Sequence, residues 1–93
     1  MPVVSNKEGV NKIGFTPRWK EELMATSDEG TLIFELAMGT LHVYFPDQNR
    51  WNAQAPAWAK DKWEVYKTAC EAWCEQSKIP MSIVDNALMF EEK

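Results

Sequence analysis

The sequence has few of the residues from which catalytic and metal sites are usually built. It contains one His, two Cys and four Gly among 93 residues. One imidazole and two thiols are too few for the usual four-ligand zinc site, and two cysteines cannot form the disulfide framework of a small secreted domain. Phosphate-loop, dinucleotide, metalloprotease and calcium-loop patterns are also absent from the chain. We therefore expect neither a metal nor a cofactor.

Long apolar runs and an excess of positive charge are missing as well. The first nine residues contain no apolar run of about seven residues, so no secretory signal is expected. No stretch approaches the roughly 18 apolar residues of a membrane-spanning helix. Ten basic and fourteen acidic residues give a net charge of −4, without the basic surface that nucleic acids and anionic membranes bind. We expect a cytoplasmic protein with reduced thiols whose partners are neither nucleic acids nor membranes.

The composition that is present is typical of one globular domain. Hydrophobic residues make up 45% of the chain and charged residues 26%. Residues 1–15 contain two glycines and show no hydrophobic period, so we predict a mobile N-terminal arm. Residues 16–93 are predicted to form a single α+β domain.

Residues 31–45 show the clearest strand pattern in the sequence. Apolar residues alternate with polar or small ones on both sides of Met38-Gly39, which predicts a hairpin with a tight turn or a four-residue loop over 37–40. The pairing that collects the large apolar side chains on one face sets Phe34 opposite Val43. In that register His42 lies opposite Glu35 on the other face.

Residues 56–78 predict one long amphipathic helix that begins at Pro56. Its apolar stripe recurs every three or four positions and contains Tyr66, Cys70 and Trp73, with charged residues on the opposite side. Pro80 ends the helix, and residues 81–84 are predicted to return as a strand parallel to the second hairpin strand and beside the first. The fold class is therefore a two-layer α+β domain, with this helix packed on a mainly antiparallel sheet of three to four strands built on the 31–45 hairpin.

Residues 17–26 are open to two interpretations. Thr16 followed by Pro17 is a typical start of a helix, which predicts a short helix over 17–26. The alternative is an edge strand that runs into the turn at residues 27–30.

Two groups of side chains could take part in catalysis or metal binding, and each also has a purely structural interpretation. A carboxylate such as Glu35 beside His42 would orient a general base, although the same pair is also an ordinary cross-strand contact. Cys70 and Cys74 share one helix face and could bind a metal, but in an apolar stripe cysteine acts as a small hydrophobic residue. We assign no catalytic residue and no metal ligand, and we do not expect an enzyme.

Tryptophan is the remaining signal, with five in 93 residues. The helix stripe accounts for Trp63 and Trp73. It does not account for Trp19, Trp51 or Trp58. An exposed Trp beside an Arg is typical of interface anchors, whereas a Trp folded inward would act as a lid on the core.

The candidate binding surface comprises Arg50, Trp51 and Trp58, together with Tyr44 and His42 on the outer face of the hairpin. The sequence therefore predicts a small non-enzymatic protein-binding domain, such as an adaptor, an inhibitor or an immunity-type protein. Its acidic charge favours a basic partner. The alternative is a small-ligand or glycan-binding module that uses Trp51, Trp58 and the amide-rich 47–54 loop. Self-association through the hairpin edge or its outer face is a third hypothesis.

Overall fold

The computed structural model describes residues 13–18 and 21–92, which form a mixed sheet of six strands and two helices. The elements follow in the order β1 (Gly14–Arg18), β2 (Glu22–Thr26), β3 (Thr31–Ala37), β4 (His42–Pro46), α1 (Gln48–Gln54), α2 (Trp63–Ser77), β5 (Met81–Val84) and β6 (Met89–Glu92). A short 3₁₀ turn, Ala57–Ala59, lies between the two helices. Neither helix is long and apolar enough to cross a membrane. The predicted α+β class is confirmed, whereas three to four strands and a single long helix are too few.

Strand β3 is the centre of the sheet. The strand order is β1-β2-β3-β4-β5, and β6 also pairs with β3. One edge of β3 pairs with β2, while its other edge is shared by β6 opposite residues 31–34 and β4 opposite residues 35–37. Strand β4 therefore leaves β3 at the point where β6 begins. Among the six described strands, β4 and β5 form the one parallel pair.

The 31–45 hairpin is present, but its predicted register is wrong by two residues. Leu36 rather than Phe34 lies opposite Val43, and Ala37 rather than Glu35 lies opposite His42. A shift of two residues keeps every side chain on its predicted face, so the hydrophobic pattern cannot detect it. The connecting loop consequently comprises residues 38–41. Leu41, which the alternation placed on the apolar face of the hairpin, lies in this loop and is 47% exposed.

The helix predicted over 17–26 is wrong, because this segment belongs to the hairpin of β1 and β2. Leu23 and Ala25 are fully buried and alternate with less buried neighbours, which is the period of a strand. Pro17 lies in the edge strand β1, where proline is tolerated, so it did not mark a helix start. Of the predicted N-terminal arm, residues 1–12 lie outside the described part of the chain, and β1 begins at Gly14.

The helix predicted over 56–78 begins later than expected, at Trp63. Pro56 has an extended backbone and precedes the 3₁₀ turn instead of opening the helix. The amide-rich segment before it, expected to be a loop, forms α1. The Asp47 side chain caps α1 by accepting a hydrogen bond from the Arg50 backbone N–H at 2.8 Å.

The return strand β5 runs parallel to β4, as predicted. Its predicted position beside β3 is wrong, because β5 pairs with the outer edge of β4 and β6 lies beside β3. The core lies between one face of the sheet and the helices. Its large buried side chains include Phe34 and Phe45 from the sheet, Trp51 from α1 and Tyr66 from α2.

Candidate functional site

The two faces of the sheet have different surroundings. The inner face carries Phe34, Val43 and Phe45, which belong to the same buried cluster as residues of α1 and α2. On the outer face the strand registers align a second set of side chains: Arg18, Glu22, Met24, Ile33, Glu35, His42, Tyr44, Ser82, Phe90 and Glu92. None of this second set belongs to the core cluster that contains residues of α1 and α2, although Ile33 is itself 0% exposed. This face is therefore the candidate binding surface.

Three residues of β4 and β5 form an ordered polar and aromatic group on the outer face. The His42 and Tyr44 rings stack with centroids 4.5 Å apart and planes inclined by 19°. The His42 Nε2 atom lies 2.8 Å from the Ser82 hydroxyl oxygen, which fixes the imidazole on the sheet. Sequence analysis did not identify Ser82, because its place beside β4 depends on the parallel return of the chain.

The outer face is extended by exposed apolar side chains of the last strand. Phe90 is 38% exposed and lies opposite Ile33 in the β3–β6 pair. Tyr44 lies opposite Glu35, two residues further along β3, so the two aromatic positions are roughly 7 Å apart along the strand direction. Leu88, which is also exposed, immediately precedes this strand. We refer to His42, Tyr44, Ser82, Leu88 and Phe90 as the outer patch.

Charged groups surround the outer patch. The Arg18 guanidinium contacts the Glu22 carboxylate at 2.7 Å and donates a second hydrogen bond to Glu92 at 2.9 Å. The neighbouring guanidinium lowers the pKa of the Glu92 carboxyl below its usual range. Arg18 also lies 3.4 Å from the Met24 sulfur, so this ion network covers part of the apolar outer face. With Glu35 included, the outer face carries three acidic groups and one basic group among the side chains named above.

The predicted pairing of His42 with Glu35 does not form. The Glu35 carboxylate accepts a hydrogen bond from the Leu88 backbone N–H at 3.1 Å, at the junction where β6 replaces β4. His42 contacts Ser82 and Tyr44 instead. A serine nucleophile needs a base whose second ring nitrogen is held by a further polar group, and donors for an oxyanion. Among the described residues, the contacts of His42 are the stack on Tyr44 and the hydrogen bond with Ser82.

Trp51 lies in the core, in agreement with the lid interpretation. Its side chain is 0% exposed, and its indole N–H donates to the Ala59 carbonyl at 2.8 Å. It packs against the rings of Phe34, Phe45 and Tyr66, with centroids 5.6 to 6.1 Å away. Trp51 is therefore not accessible to a protein partner or a glycan.

Trp58 and Arg50 also make contacts within the chain. The Trp58 indole N–H donates to the Glu91 carboxylate at 3.0 Å, and its ring lies directly against Gly30. The Arg50 Nε–H donates to the Ala87 carbonyl at 3.0 Å and fixes the turn before β6. Both residues belong to the helix layer. The structure therefore divides the predicted site between two faces and brings only His42 and Tyr44 together.

Two cavities lie between described residues, and no residue of the outer patch lines either of them. One, about 360 Å³, lies between β1 and α2 and is lined mainly by apolar or small groups such as Phe15, Ala69 and Trp73. A second, polar one of about 350 Å³ lies near the start of α2 beside Trp63. The amides predicted to bind a glycan lie on α1, but the buried Trp51 provides no platform beside them.

The two cysteines of α2 pack in the core as free thiols. The hydrogen bond with the neighbouring Cys74 thiol, together with burial, raises the pKa of Cys70, which favours the protonated thiol over the nucleophilic thiolate. Among residues 13–18 and 21–92, no cluster of three potential ligands could hold a metal ion.

Comparison with known proteins gives no further assignment: no family model, no curated protein and no solved structure matches the chain. The outer patch and its surroundings are therefore the basis for a proposed function.

Proposed function

We propose that the protein is a small non-enzymatic protein-binding domain and that its outer patch is the surface that contacts the partner. The observation that supports this is that Phe90 is 38% exposed and Tyr44 is half-buried on a sheet face whose side chains do not belong to the core. Aromatic side chains are enriched among the residues that dominate binding energy at protein interfaces. An exposed apolar patch bordered by polar side chains is typical of a protein-interaction site, so the position of these rings on the outer face favours a binding role.

The outer patch is also ordered before binding. The stack of His42 on Tyr44 and the hydrogen bond to Ser82 hold the aromatic group in one arrangement. Side chains that are already fixed lose less conformational entropy when a partner docks. This order favours a partner that contacts the patch as a preformed surface.

The partner that fits this surface carries basic side chains. Glu35 lies beside the patch, and the Arg18 charge is already paired with Glu22 and Glu92. The chain as a whole has a charge of −4, which steers a basic protein toward it. Binding should therefore weaken as salt concentration rises, mainly through a slower association rate.

Affinity capture from the native cell, with three forms of the protein as bait, tests this proposal. The bait proteins are the wild type, a Tyr44→Ala/Phe90→Ala double variant and a Leu41→Ala control. Leu41 is 47% exposed but lies in the β3–β4 loop, so the control removes an apolar side chain outside the patch. We expect one basic protein to bind the wild type and the control and to be lost with the double variant. Capture of the same proteins by all three forms, or by none, would contradict the proposal.

A further inference from the structure

The edge of the sheet formed by β5 has backbone groups that are directed away from its neighbour. The Val43 N–H donates to the Pro80 carbonyl and the Asp47 N–H to the Val84 carbonyl, each at 2.9 Å. Backbone direction alternates along a parallel strand, so residues 80, 82 and 84 face β4. Met81 and Ile83 therefore direct their N–H and C=O groups outward, and no other described strand pairs with them.

Strand β5 is short, but it lacks the charged side chains and prolines that protect many sheet edges. Its four residues, MSIV, include no charged residue and no proline, and the Ile83 side chain is 42% exposed. The opposite edge, β1, contains Pro17 and Arg18, both of which discourage the addition of another strand. An unprotected apolar edge is a template for pairing with a further strand.

We infer that β5 pairs with β5 of a second copy of this chain, antiparallel and about a two-fold axis. The outward-facing residues exchange hydrogen bonds when Met81 of one copy lies opposite Ile83 of the other. The side chains of this pair lie on the same face, so the exposed Ile83 packs against Met81 twice in the dimer. Ser82 then lies opposite Ser82 of the second copy on the outer face.

The charges at the two ends of β5 favour a second copy of this chain as the source of the pairing strand. Lys78 is exposed in the turn before the strand, and Asp85 is exposed directly after it. Antiparallel self-pairing brings Lys78 of each copy to the end of the strand where Asp85 of the other copy lies. The same segment thus provides both halves of a complementary interface, which is the requirement for a two-fold dimer. This inference does not depend on the proposed partner-binding role of the outer patch.

Disulfide trapping tests the register directly. In the inferred dimer the two Ser82 residues form a non-hydrogen-bonded pair, with Cα atoms about 4.5 Å apart, a separation that a disulfide can bridge. Under mild oxidation we expect Ser82→Cys to form a covalent dimer in high yield. Val84→Cys, on the same face and two residues away, is the matched control and should remain largely monomeric. The native Cys70 and Cys74 are buried, so they compete little in this reaction.

Sedimentation analysis of the untrapped protein completes the test. We expect the wild type to show a dimer fraction that rises with concentration, and Ile83→Lys and Ile83→Pro to weaken dimerisation by about tenfold or more. The Ile83 N–H faces away from β4, so proline at this position removes no hydrogen bond to β4; circular dichroism checks that both variants fold. Leu41→Lys should dimerise like the wild type. A wild type that stays monomeric at every concentration, a dimer unaffected by both Ile83 variants, or equal trapping through positions 82 and 84 would overturn the inference.

Discussion

The aromatic residues of the helix layer and those of the outer face have different surroundings. In the helix layer, the indole N–H groups of Trp51, Trp58 and Trp63 donate to Ala59, Glu91 and Pro46 of the same chain. On the outer face, Phe90 is exposed and Tyr44 is stacked only on its neighbour His42. The comparison teaches that a high number of Trp residues does not by itself indicate an interface. The hydrogen bonds within the chain favour a structural role for these three Trp residues.

The largest expected difference between the two regions is in stability. Trp51→Ala should lower the free energy of unfolding by about 3–5 kcal/mol, because it leaves a cavity among Phe34, Phe45 and Tyr66. Tyr44→Ala on the outer face should cost about 1 kcal/mol or less. Urea denaturation of both variants measures the difference. Equal losses would mean that the outer aromatic group is as structural as the core.

The contact of Trp58 with the β2–β3 turn gives an effect of intermediate size. A Cβ atom at Gly30 would lie 2.7 Å from the Trp58 ring, so Gly30→Ala should cost about 1–3 kcal/mol. Gly39→Ala is the matched control, because nothing lies within 4 Å of the corresponding Cβ position. Thermal unfolding of the two variants checks this prediction. If Gly30→Ala is as stable as the control, Trp58 is free to move and is again a candidate for partner contact.

The smallest effect concerns the ion network of the outer face. Arg18 lowers the pKa of Glu92 in the folded protein, so this pair stabilises the fold above the unfolded glutamate pKa of about 4.3. The contribution is lost as the pH falls through the lower, folded pKa of Glu92. Glu92→Gln should therefore be slightly less stable than the wild type near neutral pH, and the two should converge in strong acid. Urea titrations over this pH range at low salt measure the difference; a constant gap at all pH values would assign it to packing.

Part of the fold follows from local patterns in the sequence. Alternation over 31–45 predicted two strands with the right faces, and the stripe through Tyr66 and Cys70 predicted the buried side of α2. The parallel return of residues 81–84 followed from the helical crossover. These features depend on periodicity, which a single sequence contains.

The remaining features depend on tertiary contacts. Strand β6 pairs with residues 31–34 of β3, which the predicted hairpin had assigned to its own second strand, and the 31–45 pattern contains no information about β6. Proline is typical of a helix start, but it is also tolerated in an edge strand. The sequence around Pro17 does not show that its segment lies at the edge of a sheet. Within the candidate site, the sequence placed His42 and Tyr44 on the correct face. It missed Ser82, Leu88 and Phe90, which come from the end of the chain.

The most direct test of a binding role for the outer face is the affinity of the captured partner for two single variants. Titration calorimetry would compare Tyr44→Ala, within the outer patch, with Leu41→Ala, outside it. We predict that Tyr44→Ala raises the dissociation constant by about tenfold or more, while Leu41→Ala leaves it within about twofold. Unchanged affinity of Tyr44→Ala, with the fold intact, would contradict the assignment of the outer patch as the binding surface.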